Sequence, residues 1–332
     1  MQFRTLRLYL HPFSLGVSEK TTLLGNRVNK IILPSLAQPS KSQEVVLVPW
    51  MPEVFTAPLA EARRAQAQAA RANDAIPYYE GIMADQPAAL IRSFAGEPVL
   101  NDPRRGRVEG AGGLRDFVLG MADWLRKRDA VVENVALTRT PIRTVEEVVL
   151  HLLGDAGPAR VELPVAIVTE RNPDRTLKTI RVYHSMWPLT GKHTVRPPLL
   201  PEDPKLDVEG TPAAYQRALS EGDLEGIVGT FEPDGYAREP SGGAYPHRGV
   251  EGLRELYAHL FANGGGIALE HCTLADDGTR CVIEYNCVRW GVTDIPPQAG
   301  MAVYERGSSG LLGAARIYDD VESPAVSDTS DN

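Results

Sequence analysis

Two stretches in the second half of the chain repeat apolar residues at helical spacing. Intervals of three and four residues place such side chains on one face of an α-helix, which can then pack against a core. The first stripe consists of Leu224, Ile227, Val228 and Phe231, and the second of Leu253, Leu256, Tyr257 and Leu260. The pattern predicts two amphipathic helices separated by a loop rich in glycine and proline.

A further helix is predicted just before them from its end signals. Thr211 and Pro212 form a favourable N-cap and first turn, and Gly222 is a typical residue for a helix end. Asp223 follows directly and can cap the next helix. The second half therefore begins with three helices.

Both halves continue with segments typical of β-strands. Helices are predicted in the first half at about 74–84, 87–94 and 113–127, and strands at 131–138, 145–153, 159–170 and 176–187. Strands in the second half are predicted at 267–274, 279–290, 299–306 and 311–320. Three helices followed by a run of antiparallel strands indicate the α+β class.

The two halves also share residue spacings, which indicates an internal repeat. Tyr78, Phe94, Asp102 and Pro103 stand at the same intervals as Tyr215, Phe231, Glu239 and Pro240. The sequence GLRDF at 113–117 matches GLREL at 252–256, and Arg-Val-Tyr at 181–183 matches Arg-Ile-Tyr at 316–318. A repeat of this length predicts two copies of one domain.

The predicted domain boundaries follow from this repeat and from composition. Residues 1–57 are an atypical N-terminal tail, predicted to be disordered, with six basic residues against one acidic residue before position 44. The first domain spans 58–190 and starts with an extra helix, a proline-rich linker covers 191–208, and the second domain spans 209–323. Residues 324–332 are a second tail predicted to be disordered.

Charge and cysteine content restrict the partners of the chain. A net charge of −8 argues against a nucleic-acid partner, and no apolar run is long enough to cross a membrane. The three cysteines form no CxxC pair and the histidines lack metal-ligand spacing, so no metal site is predicted. We expect a cytoplasmic protein, or an organellar one if residues 1–57 are a transit peptide.

The spacing of Tyr215, Phe231, Glu239 and Pro240 resembles the SnoaL-like and ketosteroid-isomerase-like group of the NTF2-like superfamily. This resemblance implies two cone-shaped α+β barrels in tandem, each with a curved antiparallel sheet and three helices. It also implies that the two domains pack sheet to sheet as an intramolecular pseudo-dimer, which can remain a monomeric chain. The family's chemistry needs no cofactor.

The resemblance assigns roles to residues in both halves. Glu239 stands at the position of the general base and Tyr215 at that of the oxyanion donor, with Asp102 and Tyr78 as their counterparts. Such a base moves a proton next to a carbonyl while donors hold the enolate oxygen. The family's second donor aligns with about Met301 in the second half, which cannot donate a hydrogen bond.

A second carboxylate recurs in each half at a fixed distance from the first. Glu133 lies 31 residues after Asp102, and Glu270 lies 31 residues after Glu239. This resembles the tandem NTF2-like epoxide hydrolase/cyclases, in which one carboxyl protonates the epoxide and another takes a proton from the attacking hydroxyl. The alternative interpretation is a glutamate on the exposed face of a half-buried strand.

Two functions follow as hypotheses. The first is a cofactor-independent enzyme that performs isomerisation, cyclisation or epoxide opening on a hydrophobic polyketide- or steroid-like small molecule, with the second half as the active one. The second is a non-catalytic protein that binds a small ligand or acts as a scaffold, because a fold alone does not fix a function.

Overall fold

The computed structural model describes residues 77–84, 86–154, 159–241, 247–322 and 324. The predictions for the tail 1–57, the extra N-terminal helix and residues 325–332 therefore lie outside the described residues. Within the described part of the chain, no helix is both long and apolar enough to cross a membrane.

The first half contains a small helical layer and a six-stranded sheet. Its helices are α1 (Tyr78–Met83), α2 (Pro87–Ser93) and α3 (Gly110–Lys127). Its strands are β1 (Val99–Asp102), β2 (Gly106–Glu109), β3 (Val131–Arg139), β4 (Arg143–Leu153), β5 (Arg160–Arg171) and β6 (Leu177–Tyr183). A one-turn helix, α4 (Trp187–Thr190), follows the last strand.

The second half repeats this arrangement element by element. Its helices are α5 (Gly210–Glu221), α6 (Leu224–Val228) and α7 (Gly249–Leu260). Its strands are β7 (Phe231–Arg238), β8 (His247–Arg248), β9 (Ile267–Asp276), β10 (Arg280–Trp290), β11 (Thr293–Arg306) and β12 (Leu312–Tyr318). As predicted, Asp223 caps α6, with its carboxylate accepting a hydrogen bond from the Gly226 amide.

The two sheets have the same strand order, β2-β1-β6-β5-β4-β3 in the first and β8-β7-β12-β11-β10-β9 in the second. All pairings are antiparallel except that of β1 with β6 and that of β7 with β12. Both sheets are therefore mixed, and each is covered by its helices on one face. This is the predicted pair of NTF2-like α+β domains in tandem.

The prediction missed the first two strands of each sheet. Strand β7 contains Pro233 and Gly235, residues that are uncommon inside strands. Its place in the sheet comes from the parallel pairing with β12, a contact between residues about 80 positions apart in the chain. Pairing at such a distance overrides the local signal of the two residues.

The two sheets contact each other through one apolar cluster. From the first sheet it contains Val145, Ala166, Val168 and Tyr183, and from the second Ala275, Val282, Met301, Val303 and Tyr318. Met301, the residue aligned with the family's second donor, is fully buried in this cluster. The sheets thus pack against one another as a pseudo-dimer within one chain.

Two buried ion pairs cross this contact in a pseudo-symmetric way. Arg181 of the first sheet donates to both carboxylate oxygens of Glu284, at 2.6 and 2.7 Å. Arg316 of the second sheet donates to both oxygens of Glu147, at 2.6 and 2.9 Å. Burial alone would raise the pKa of each glutamate, but the facing arginine outweighs it, so both pKa values lie below the usual range.

The proline-rich segment between the domains is held at several points. Arg196 is buried and donates from Nη1 to the Val182 carbonyl at 2.7 Å, while its own carbonyl accepts from the Ala299 amide at 2.9 Å. Further along, Asn286 donates to the Leu200 carbonyl at 3.2 Å. The segment therefore runs from the last strand of one sheet across the strands of the other.

Candidate functional site

The second domain encloses a cavity of about 430 Å³ between its helices and its sheet. Its walls are mostly apolar and include Leu219, Leu256, Leu260, Ile267, Leu269 and Ile317. This volume lies in the range of about 300–1,000 Å³ that suits a small organic molecule. The chemistry of the cavity depends on the few polar groups that face it.

The most unusual polar group in the cavity is the carboxyl of Asp319, directly after β12. Its Oδ2 accepts a hydrogen bond from the Tyr285 hydroxyl at 2.6 Å. Burial raises the pKa of Asp319 to about 6, because desolvation outweighs the opposing effect of the Tyr285 hydrogen bond. Asp319 can therefore take up and release a proton near neutral pH.

A glycine opposite Tyr285 makes this arrangement possible. Gly300 on β11 pairs with Tyr285 on β10. A Cβ atom at Gly300 would lie 2.4 Å from the Tyr285 ring and 2.9 Å from the Cβ of Asp319. The missing side chain thus leaves room for the phenol to reach the carboxyl.

We expect Gly300→Ala to lower the free energy of unfolding by about 1–3 kcal/mol, because the added methyl group overlaps the Tyr285 ring. Gly313→Ala on β12 is the matched control, since its Cβ would meet nothing closer than 3.7 Å. Urea unfolding of both variants measures the difference. Equal unfolding midpoints and slopes for the two variants would contradict a tight contact at Gly300.

Three more phenols lie in the cavity wall. The hydroxyls of Tyr215 and Tyr257 are 2.8 Å apart and share a hydrogen bond. The Tyr304 hydroxyl accepts a hydrogen bond from Gln216 Nε2 at 2.5 Å. Burial raises the pKa of all three phenols, so they stay protonated at neutral pH. Protonated phenols can donate hydrogen bonds to a ligand oxygen.

Glu239 also faces this cavity, directly after the end of β7. Its side chain is 35% exposed, and its Oε1 lies 3.4 Å from His247 Nε2. The Ser241 hydroxyl lies 3.4 Å from Oε2. The structure therefore brings Glu239 and Tyr215 to one cavity, as the sequence spacing predicts.

A family model for the SnoaL-like domain matches residues 213–309, from helix α5 to just beyond strand β11. The second domain contains this match and is hereafter called the SnoaL-like domain. No curated protein matches the sequence.

Solved structures resemble single halves of the chain at low identity. A putative polyketide cyclase from Sinorhizobium meliloti is 19% identical over 33% of this chain and 95% of that chain, with a TM-score of 0.29. The epoxide hydrolase/cyclase-like enzyme SalBIII is 16% identical over 37% of this chain and 90% of that chain, with a TM-score of 0.27. These sequence identities and TM-scores are too low to assign the activity of either protein to this chain.

Glu270, the predicted partner of Glu239, is not part of the cavity wall of the SnoaL-like domain. Its neighbours on β9, Ile267 and Leu269, do line the cavity. Because side chains alternate along a strand, Glu270 lies on the opposite face of the sheet from Leu269. The structure therefore does not bring the two predicted carboxylates of this domain together.

Two predicted site residues of the first domain, Asp102 and Tyr78, form hydrogen bonds that stabilise the local fold. Asp102 is buried, and its Oδ1 accepts from the backbone amides of Arg104 and Arg105 at 2.9 and 3.0 Å, so it stabilises a turn. Tyr78 is buried at the start of α1, where its amide donates to Glu146 Oε2 at 3.1 Å. Asp102 is close enough to Tyr78 to contribute to the raised pKa of that phenol.

Glu133 lies on the exposed part of β3, where its Oε2 is 2.8 Å from His151 Nε2. A carboxylate that is 57% exposed and paired with a surface histidine does not fit an acid or base inside a cavity. The alternative interpretation, a glutamate on the exposed face of a strand, describes Glu133.

The two domains differ at the positions of Tyr285, Gly300 and Asp319. Tyr285 and Gly300 pair across β10 and β11, and Val148 and Val165 pair at the equivalent place in β4 and β5. Asp319 follows Tyr318, whereas His184 follows Tyr183. These Arg-X-Tyr motifs also mark the internal repeat, so the residue after each motif is a sequence signal for Asp319.

Among the residues that the structure describes, no three His, Cys, Asp or Glu side chains lie close enough together to hold a metal ion. The ionisable groups that face the cavity are carboxyls, phenols, histidines, the buried guanidinium of Arg238 and the buried thiol of Cys287. Burial raises the pKa of Cys287 to about 12, which keeps this thiol protonated and a poor nucleophile.

Proposed function

We propose that the SnoaL-like domain catalyses proton transfer on a hydrophobic small molecule that carries a carbonyl or an epoxide. The observation that supports this most directly is the Asp319 carboxyl, with its pKa raised to about 6 inside a largely apolar cavity. A base with a pKa near the working pH is efficient, because it is largely ionised and still holds a proton well.

Asp319 acts as the base in this proposal. Above a pH of about 6 its carboxylate accepts a proton from a carbon next to the substrate carbonyl. The electron pair of the broken C–H bond moves into the carbonyl group and forms an enolate. In the Tyr215–Tyr257 pair one hydroxyl donates to the other, and the hydroxyl whose proton is left over then donates a hydrogen bond to the enolate oxygen. Return of the proton to another carbon completes an isomerisation.

Glu239 is the second carboxyl in the proposed mechanism. It faces the same cavity as Asp319 but is partly exposed and lies beside His247, so the two carboxyls have different surroundings. Such a pair can divide the roles of acid and base. Cyclisation and epoxide opening need the same division, with one group that protonates the substrate and one that accepts a proton.

Deuterium exchange into a model ketone tests the proposal without knowledge of the natural substrate. We expect the protein to accelerate the exchange of α-protons of 1-tetralone in deuterated water, followed by NMR, with a rate that rises through a pH of about 6. Asp319→Asn should lower the acceleration by about 10²-fold or more. Asp234→Asn, at an exposed aspartate on β7, is the matched control and should change nothing.

An equal rate for the wild type and Asp319→Asn would overturn the proposed role of Asp319. Binding of 1-tetralone without any accelerated exchange would instead favour the second hypothesis, a non-catalytic protein that binds a small ligand.

A further inference from the structure

The cavity of the SnoaL-like domain has a wall that comes from outside this domain. Trp187 and His193 line the cavity, although both precede the first helix of the domain. They belong to residues 185–194, here called the connecting segment, which follow the last strand of the first domain. Trp187 of the first domain and His193 of the linker therefore contribute side chains to the cavity of the second domain.

The two rings form a fixed unit. The indole of Trp187 and the imidazole of His193 are stacked, with their centroids 4.8 Å apart and their planes inclined by 29°. Gly191, between them, adopts a left-handed conformation at φ 65°, which ends helix α4 and turns the chain back. Stacking on the imidazole restricts the orientation of the indole before any ligand arrives.

A single buried carboxylate holds the connecting segment in place. Asp320 accepts hydrogen bonds from the Ser185 hydroxyl and from the amides of Met186 and Thr194. His193 Nδ1 lies 2.9 Å from the same carboxylate. Asp320 is the neighbour of Asp319 in the chain, so the segment and the proposed base are positioned by one loop.

Trp187 remains nearly half exposed although its neighbours hold it in place. The residue is 44% exposed, which is uncommon for a large aromatic side chain held by its neighbours. An aromatic face that is already oriented attracts another aromatic ring by stacking, which contributes about 0.5–1.5 kcal/mol beyond the buried area. A saturated ring of the same size gains only the buried area.

We infer that Trp187 is a specificity-determining residue that favours ligands with a flat, unsaturated ring system at this end of the cavity. The inference deepens the proposed function, on which it rests, because it concerns the ligand of the same cavity. It also assigns a role to the first domain, which supplies a wall of the site and no reacting group.

Binding of two matched probes tests the inference. The probes are 2-naphthol and decahydro-2-naphthol, which share a skeleton and a hydroxyl and differ in the flatness and unsaturation of the rings. We expect the wild type to prefer 2-naphthol, and Trp187→Ala to weaken 2-naphthol binding by about tenfold while it changes decahydro-2-naphthol binding much less. Trp187→Phe should keep most of the preference. Titration calorimetry measures both affinities.

Val195→Ala is the control variant, because Val195 is also 44% exposed, lies next to the connecting segment and does not line the cavity. It should bind both probes as the wild type does. Equal losses for both probes in Trp187→Ala, or no loss for either, would overturn the inference and leave the proposed function standing. Failure of the wild type to bind either probe would overturn the inference alone, because exchange on 1-tetralone tests the proposed function separately.

Asp319→Asn separates the inference from the proposed chemistry. It should retain the preference for 2-naphthol while it loses exchange activity on 1-tetralone. If Asp319→Asn lost the preference for 2-naphthol while Trp187→Ala kept it, the Asp319 carboxyl would select the ring. That result would contradict the role of Trp187.

Discussion

Glu284→Leu is expected to lower the free energy of unfolding by about 3 kcal/mol or more, because it leaves the Arg181 guanidinium buried without its bidentate partner. Both side chains are almost fully buried, so water cannot replace the lost carboxylate. Glu170 retains one bond to Arg181 at 3.1 Å, which places the effect at the lower end of the range of about 3–5 kcal/mol for such pairs. Urea unfolding measures the change.

Two further variants decide whether the loss comes from the unpaired charge. The double variant Arg181→Met with Glu284→Leu should recover most of the stability, because no buried charge is left alone. Glu225→Gln, which removes an exposed partner of Arg254, should change the free energy of unfolding far less, because water replaces the lost carboxylate. A loss in Glu284→Leu no larger than that of Glu225→Gln would refute the structural role of the crossed pairs.

The same pairs predict how stability depends on pH. The pKa values of Glu147 and Glu284 are lowered in the folded protein, so their contribution is complete above the unfolded value of about 4.3. This stabilising contribution is lost as the pH falls through the lower pKa values that the two glutamates have in the folded protein. Acid unfolding should therefore separate the wild type from the double variant only below a pH of about 4.3.

Asp319→Asn is expected to change stability in the opposite direction. It should raise the free energy of unfolding by about 1–3 kcal/mol at pH 7.5. The pKa of Asp319 is raised to about 6, so ionisation of this carboxyl costs free energy only in the folded state. The wild type should lose this stability as the pH rises from about 4 to 6, whereas the asparagine variant should not. Thermal unfolding at pH 4 and at pH 7.5 measures the difference.

Asp276→Asn is a control in which the change in stability should be opposite to that of Asp319→Asn. Asp276 accepts two hydrogen bonds from Arg306, at 3.0 and 2.6 Å, and its pKa is lowered, although burial acts against this. Its replacement should destabilise the protein at pH 7.5. A destabilised Asp319→Asn would show that the carboxylate is structural, whereas a stable and inactive variant is typical of a group kept for function.

Much of the fold could be predicted from local patterns. The apolar stripes and the end signals at Gly222 and Asp223 are properties of the segments themselves, and the structure has three helices there. The predicted bounds were wrong at two ends, because α5 begins before Thr211 and α6 ends before Phe231, which starts β7. The repeat was visible because both copies keep the same spacings. Strand β7 was missed because its pairing with β12 is a tertiary contact that the local sequence does not record.

The candidate site was predictable only in part, for a related reason. Tyr215 and Glu239 lie on elements whose order the resemblance supplied, and both face the cavity. Glu270 was assigned by a fixed interval, but a shift of one residue along a strand moves a side chain to the other face of the sheet. Asp319 was missed because the comparison with the family pointed to Met301, which instead packs between the sheets.

The covalent link between the two halves has a consequence for their divergence. In a dimer of identical chains, every substitution at Tyr285 or Asp319 would appear in both cavities at once. In this chain, the first domain has Val148 and His184 at those places while it keeps Glu147 for the shared contact. One half can thus change at these positions while, in the proposed function, the other carries the chemistry, without loss of the surface that joins them.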